Sequence, residues 1–97
     1  MAGYVIADIE VLNPEGYRGY SSQVLETLTP FGGRFLVRGG ASEVLEGDRQ
    51  PHRVVIIEFP SVEKAREWYT SPAYKNLLPI REQHARSSLI LVEGVEG

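Results

Sequence analysis

Gly32-Gly33-Arg34-Phe35-Leu36-Val37-Arg38-Gly39-Gly40 is the stretch on which the fold turns. Five residues of strand composition stand between two glycine pairs, with an arginine at each end. Glycine pairs mark tight backbone turns, so the strand is short and starts and stops sharply. An arginine on a short apolar strand must reach water or find an anion. Strict alternation puts Arg38 on the face of Leu36, opposite Phe35 and Val37.

Upstream, Tyr4 to Leu12 alternates, with Val5, Ala7, Ile9 and Val11 on one face and Tyr4, Ile6, Asp8 and Glu10 on the other. Period two predicts a strand. Asn13-Pro14-Glu15 reads as a helix start: a cap residue, proline at the first helical position and an early acid. Tyr17, Tyr20, Val24, Leu28 and Phe31 recur at spacings of three and four, which predicts one apolar stripe along one helix. Gly16 and Gly19 each weaken that helix by about 1 kcal/mol relative to alanine, and Pro30 with Gly32-Gly33 ends it.

Downstream, Glu43-Val44-Leu45-Glu46 reads as a short returning strand and Gly47-Asp48 as a turn. Arg53 to Phe59 is the most hydrophobic run and predicts a strand. Pro60-Ser61 caps a helix with Val62, Ala65, Trp68 and Tyr69 on one side, and Ser71-Pro72 restarts it by the same cap-then-proline logic. Pro79, inside the pattern of Tyr74, Leu77, Leu78 and Arg81, kinks this helix or cuts it short. Ser87 to Glu93 is the last strand. The order predicts an α+β domain over residues 1–97: a ferredoxin-like βαββαβ antiparallel sheet with both helices on one face.

Two helices cover only one face, yet both faces of the later strands are apolar. Val55, Ile57 and Phe59 oppose Val54 and Ile56; Leu89 and Leu91 oppose Ile90 and Val92. An open face of that size favours a homodimer with the sheets face to face. The alternative is a monomer with an apolar open face.

With 97 residues, 42% hydrophobic and 24% charged, the chain has the composition of an ordinary soluble domain. A net charge of −3 speaks against a nucleic-acid partner. The absence of cysteine excludes disulfides, thiolate nucleophiles and thiolate-held metals. His52 and His84 share no motif and predict no metal site. No apolar run approaches the roughly 20 residues of a membrane helix, and no secretory signal is read at the start. The expectation is a cytoplasmic protein with no membrane partner.

Several segments together resemble one family. They are the glycine-bracketed strand, Glu43-Val44-Leu45-Glu46-Gly47, Pro51-His52-Arg53, Ile57-Glu58-Phe59-Pro60-Ser61, Trp68-Tyr69-Thr70-Ser71-Pro72-Ala73-Tyr74, Ile80-Arg81 and Leu91-Val92-Glu93-Gly94. The chain resembles the domain of unknown function 1330 family over nearly its whole length. The resemblance implies a ferredoxin-like fold pairing as a dimeric α/β barrel, in a superfamily that includes cofactor-free monooxygenases, small-molecule isomerases and haem-handling enzymes. The family has no established reaction, so no catalytic role is carried over. Pro30 and Ser21-Ser22-Gln23 are less typical of it.

Arg38 is the first candidate: a guanidinium for a carboxylate or enolate, or else the salt-bridge partner of Glu58 or Asp8. Glu58 is a candidate general base and equally Arg38's structural partner. His52 is a candidate proton shuttle, although its loop-to-strand junction suits an exposed histidine. Tyr20, Trp68 and Tyr74 combine apolar rings with polar handles and suit either a ligand wall or core packing. Arg81 joins Arg38 as an anion binder or snorkels at the surface. Arg34-Phe35-Leu36-Val37 lacks the aromatics of an RNA-recognition strand, and the glycine pairs lack the Gly-Lys-Ser/Thr of a phosphate loop. The sequence calls for no cofactor. It leaves two classes: a homodimer that binds a small anionic organic molecule, extending to a cofactor-free isomerase or monooxygenase, and a non-catalytic sensing or dimerisation module.

Overall fold

The computed structural model describes residues 1–95. The chain runs β1 (Gly3–Val11), α1 (Pro14–Ser21), α2 (Val24–Leu28), a 3₁₀ turn (Thr29–Phe31), β2 (Arg34–Arg38), β3 (Arg53–Phe59), α3 (Val62–Tyr69), α4 (Pro72–Lys75), α5 (Leu78–His84) and β4 (Ala85–Glu93). The sheet order is β2-β3-β1-β4, antiparallel throughout. This is the ferredoxin-like α+β fold that the element order predicts.

The helix starts are those the sequence signals. Asn13 and Ser61 accept hydrogen bonds from the backbone N–H groups of Gly16 and Lys64 at 3.2 and 3.1 Å. Ser71 accepts one from Tyr74 at 3.3 Å, with Pro72 following. Pro79 lies in the first turn of α5, so the long second helix is cut into pieces rather than kinked. The first helix is also divided, a correction to the single stripe read from its spacing. At Ser22-Gln23 the Gln23 side-chain amide donates to the Gly19 carbonyl at 2.6 Å, and the Gln23 N–H turns to Tyr20. Polar side chains compete with the helical ladder there.

Two further expectations are corrected. Glu43-Val44-Leu45-Glu46 forms no returning strand: the chain leaves β2 at Gly39, whose φ is 72°, and passes through an exposed loop before β3. The face of Arg38 is also the reverse of that expected. Phe35 pairs with Ile57 but Val37 pairs with Ile56, so a bulge sits at Leu36. The extra residue shifts the alternation by one and brings Arg38, opposite Val55, onto the helix-covered face with Phe35.

The two faces can be read rung by rung across the strands. On the covered face, Phe35, Ile57, Val5 and Leu91 form one rung and Arg38, Val55, Ala7 and Leu89 the next. On the open face, Val37, Ile56, Ile6 and Ile90 cross all four strands in one line. The covered face packs against Trp68, whose ring lies 5.3 Å from Phe59 and 4.1 Å from Tyr74 between centroids. Its indole N–H donates to Thr27 at 2.9 Å, which ties α3 to α2.

The glycines of the first helix have a packing reason that outweighs their low propensity. A Cβ on Gly16 would stand 2.3 Å from the His84 ring, so only glycine lets α1 and α5 approach so closely. Gly33 is as tightly placed: a Cβ there would meet Phe59 at 2.7 Å and Leu28 at 3.2 Å. Gly33→Ala is therefore expected to lower stability in urea unfolding by about 1–3 kcal/mol through overpacking. Gly40→Ala, where a Cβ meets nothing within 4 Å, is expected to leave the midpoint unchanged or slightly raised.

Candidate functional site

Between the covered face and the helices lies a small cavity of about 30 Å³, room for one or two water molecules. Val5, Ala7, Ile9, Val55, Ile57 and Leu89 form its floor, and Tyr17, Tyr20, Val24, Trp68 and Arg81 its roof. Phe35, Ser21 and Arg38 stand at the β2 side. The sheet supplies a rigid apolar platform, and α1 and α5 bring the polar groups to it.

Of the sequence candidates, Arg38, Tyr20, Trp68 and Arg81 line this one cavity. Tyr74 stands behind it, fully buried, and connects two of them. Its hydroxyl lies 2.7 Å from that of Tyr20 and accepts from an Arg81 Nη at 2.9 Å. Either hydroxyl can supply the proton between the tyrosines. The Arg81 guanidinium also lies 5.8 Å from the centre of the Tyr20 ring. Arg81 is thus no surface snorkel: it is 7% exposed, and its buried Nε has no partner among the described residues.

Arg38 is exposed. Its guanidinium donates to the Ser21 carbonyl at 2.7 Å and lies 4.3 Å over the Phe35 ring. It is not the partner of Glu58. That carboxylate accepts from Arg34 at 2.7 Å and from the Tyr4 hydroxyl at 3.0 Å on the open face. The Arg34 and Tyr4 hydrogen bonds hold the Glu58 carboxyl below its ordinary pKa, the opposite of what a base near neutrality needs. His52 is also separated from the cavity. Its backbone N–H donates to Asp8 at 2.8 Å, and its ring nitrogens stand 3.7 Å from Asp8 and 3.9 Å from Glu10. The sheet lies between these two candidates and the other five.

Electrostatically the cavity is one-sided. Among the described residues two arginines line it and no carboxylate does. Burial opposes the Arg81 charge, but the Tyr74 and Tyr20 hydroxyls outweigh that and raise its pKa, so the cation persists. Burial foremost, then the neighbouring Tyr20, pushes Tyr74 far above the ordinary phenol range, and burial raises Tyr17 as well. A guanidinium in a mostly apolar enclosure without an acid is a site prepared for an anion. Among the described residues, the hydroxyls that line the cavity are those of Tyr17, Tyr20 and Ser21.

Sequence reasoning missed Ser21, Tyr17 and Phe35 as wall residues, and it missed Arg53. The latter continues the covered-face alternation of Phe59, Ile57 and Val55, so the signal was present. Its buried Nε has no partner among the described residues, and its guanidinium lies 5.9 Å from the Tyr17 ring. A second, wider groove of about 330 Å³ runs between α3 and β4. Val5, Ala65, Arg66, Tyr69, Thr70, Leu89, Ile90 and Leu91 line it, and none of the seven candidates does.

Fold and cavity together define a ferredoxin-like α+β protein with a cationic pocket between sheet and helices. The chain belongs to the family described as Domain of unknown function (DUF1330), which matches residues 2–95. Among solved structures it is similar to a protein of unknown function from Rhodopseudomonas palustris, at 22% identity and a TM-score of 0.77, covering 99% of this chain and 84% of that one. It is also similar to a cofactor-independent oxygenase from Streptomyces nogalater, at 12% identity and a TM-score of 0.69, covering 99% and 95%. A dimeric ferredoxin-like protein of unknown function from a Jannaschia species matches at 11% identity and a TM-score of 0.68, covering 97% and 100%. No curated protein matches the chain. Among the described residues no helix is long and apolar enough to cross a membrane, and no group of metal-binding side chains gathers.

The tyrosine–arginine chain yields two tests. Tyr74→Phe removes the oxygen shared by Tyr20 and Arg81, and is expected to lower urea stability by about 1–3 kcal/mol. Tyr20→Phe, which leaves the Tyr74–Arg81 bond intact, is expected to lower it by less. Buried phenols whose pKa is raised contribute stability that is complete below the unfolded tyrosine pKa of about 10 and is lost above it. Unfolding free energy measured against pH should therefore fall as pH rises past about 10, and Tyr74→Phe should flatten that fall.

Proposed function

We propose that this protein is a homodimer that binds a small organic anion in the cavity between sheet and helices of each copy. The observation that carries this is Arg81: a buried guanidinium whose Nε has no partner among the described residues, facing an apolar cavity whose described walls hold no carboxylate. Arg38 supplies the movable part. A single hydrogen bond to the Ser21 carbonyl and a stack on Phe35 hold it at an exposed position. Swinging aside, it widens a space that now fits only water, and closing, it adds a second cation to the ligand. Trp68 and Tyr20 supply flat walls, and Tyr74 keeps Arg81 in place.

The open face supports the dimer. Its centre is the apolar line Val37, Ile56, Ile6 and Ile90, with Ile90 59% exposed. Polar groups border it at both ends, Arg34–Glu58–Tyr4 on one side and Asp8–His52–Glu10 on the other. An apolar centre with a polar rim is the anatomy of a protein interface. The likeness to a cofactor-independent oxygenase and to a dimeric protein of the same fold agrees with this assignment. A cofactor-free reaction in the cytoplasm is the second possibility. In it Tyr20, which lines the cavity with Tyr74 hydrogen-bonded behind it, would be the proton donor, because His52 and Glu58 lie across the sheet.

Thermal-shift screening of small carboxylates and enolisable keto acids tests the ligand. A raised Tm for the wild type that is lost in both Arg38→Ala and Arg81→Met is expected; an equal rise in all three proteins would rule out the arginine clamp. Light scattering tests the assembly, with twice the 10.8 kDa chain mass expected. Ile90→Asp should return it to the mass of one chain.

A further inference from the structure

Residues 40–51 are the part of the chain that neither core nor cavity uses. As far as Gln50 every residue is exposed. None makes a hydrogen bond or ion pair among the described residues, whereas both ends of the loop are tied down. The Gly39 N–H donates to the Val54 carbonyl at 2.8 Å, and the His52 N–H to Asp8 at 2.8 Å. The loop is an arm on a fixed base. At its tip Val44 and Leu45 are 36% and 85% exposed, between Glu43 and Glu46. These residues have strand composition but no strand partner within their own chain.

The 330 Å³ groove lies at the opposite edge of the sheet. Among the described residues β4 there pairs with β1 alone, and Ala65, Leu89 and Leu91 give the groove apolar walls. Arg66 is exposed at its side and makes no ion pair among the described residues. Ile90, which belongs to the open face, also lines the groove, so the groove turns around the β4 edge onto the face assigned to the dimer contact.

We propose that each groove receives Val44 and Leu45 from the arm of a second copy. This rests on the face-to-face dimer. The proposal takes the two-fold axis that runs parallel to the strands, which sets β2 of one copy against β4 of the other, so each arm starts beside its partner's groove. Leu45 stands five residues beyond Gly40 and can reach about 17 Å, more than the roughly 10 Å between packed sheets. Within its own chain the three strand spacings from β2 to β4 already take about 14 Å of that reach, which leaves little to round the β4 edge into the groove. Glu43 and Glu46 meet Arg66, which gives the docking a charge match as well as an apolar one. The groove shares Val5 and Leu89 with the anion cavity, so the seated arm borders the partner's pocket.

The lack of cysteine allows a clean test. Leu45→Cys protein and affinity-tagged Thr70→Cys protein are mixed, unfolded and refolded together, and then oxidised. A tagged–untagged disulfide dimer on a non-reducing gel is the expected result. It should be lost when Arg66→Glu is added to the groove copy, and restored when Glu43→Arg and Glu46→Arg are added to the arm copy. Leu45→Ser alone should raise the dimer dissociation constant about tenfold without moving the unfolding midpoint of the monomeric Ile90→Asp background. A dimer by light scattering with no mixed disulfide overturns the arm and leaves the dimer. A monomer by light scattering overturns both.

Discussion

The stack of Trp68 on Tyr74, 4.1 Å between ring centroids, is the contact on which the rest of the molecule depends. Trp68 joins three elements at once: its ring meets Phe59 of β3, its indole N–H bonds Thr27 of α2, and α3 carries it. Tyr74 extends the same contact to Tyr20 and Arg81 through one oxygen. Aromatic burial thus supplies the apolar area that a thin core of this length needs, and the hydroxyl at its end positions Arg81, the buried cation among the described residues. The pocket is an outgrowth of the core rather than an addition to it.

The sheet divides the chemistry. On its covered face stand three arginines, Arg38, Arg53 and Arg81, against phenols and apolar side chains. On its open face stand carboxylates already engaged with Arg34, Tyr4 and His52. Had Arg38 been placed by simple alternation, it would have faced the Glu58 side and been neutralised there. The bulge at Leu36 moves it to the face without acids. One inserted residue therefore decides whether the cavity has a second cation. The same strand can serve both faces because Val37, displaced the other way, completes the apolar line across the open side.

Much of the architecture was legible from local signals. Asn13-Pro14, Ser61 and Ser71-Pro72 cap helices as their side-chain chemistry requires, and the period of β1 and β3 gives both the strands and their buried faces. Such features depend on residues within a turn of one another. The break at Ser22-Gln23 and the missing strand at Glu43–Glu46 were less legible, because each depends on a competing or absent partner. The candidate site was legible in part. Tyr20, Trp68, Tyr74, Arg38 and Arg81 converge, but His52 and Glu58 do not, and Arg53 went unnoticed although its alternation pointed inward.

By itself the sequence determined the order of strands and helices, their caps, the glycine turns that bracket β2 and the presence of two apolar sheet faces. These follow from backbone preference and side-chain periodicity, which act over a few residues. Only the tertiary structure decided which charges are partnered. Arg34 found Glu58 across β2 and β3, while Arg81, 7% exposed on a short helix, found only a phenol. Pairing of this kind is set by distances between groups up to fifty-four residues apart, as for Tyr20 and Tyr74, and no local pattern encodes those distances.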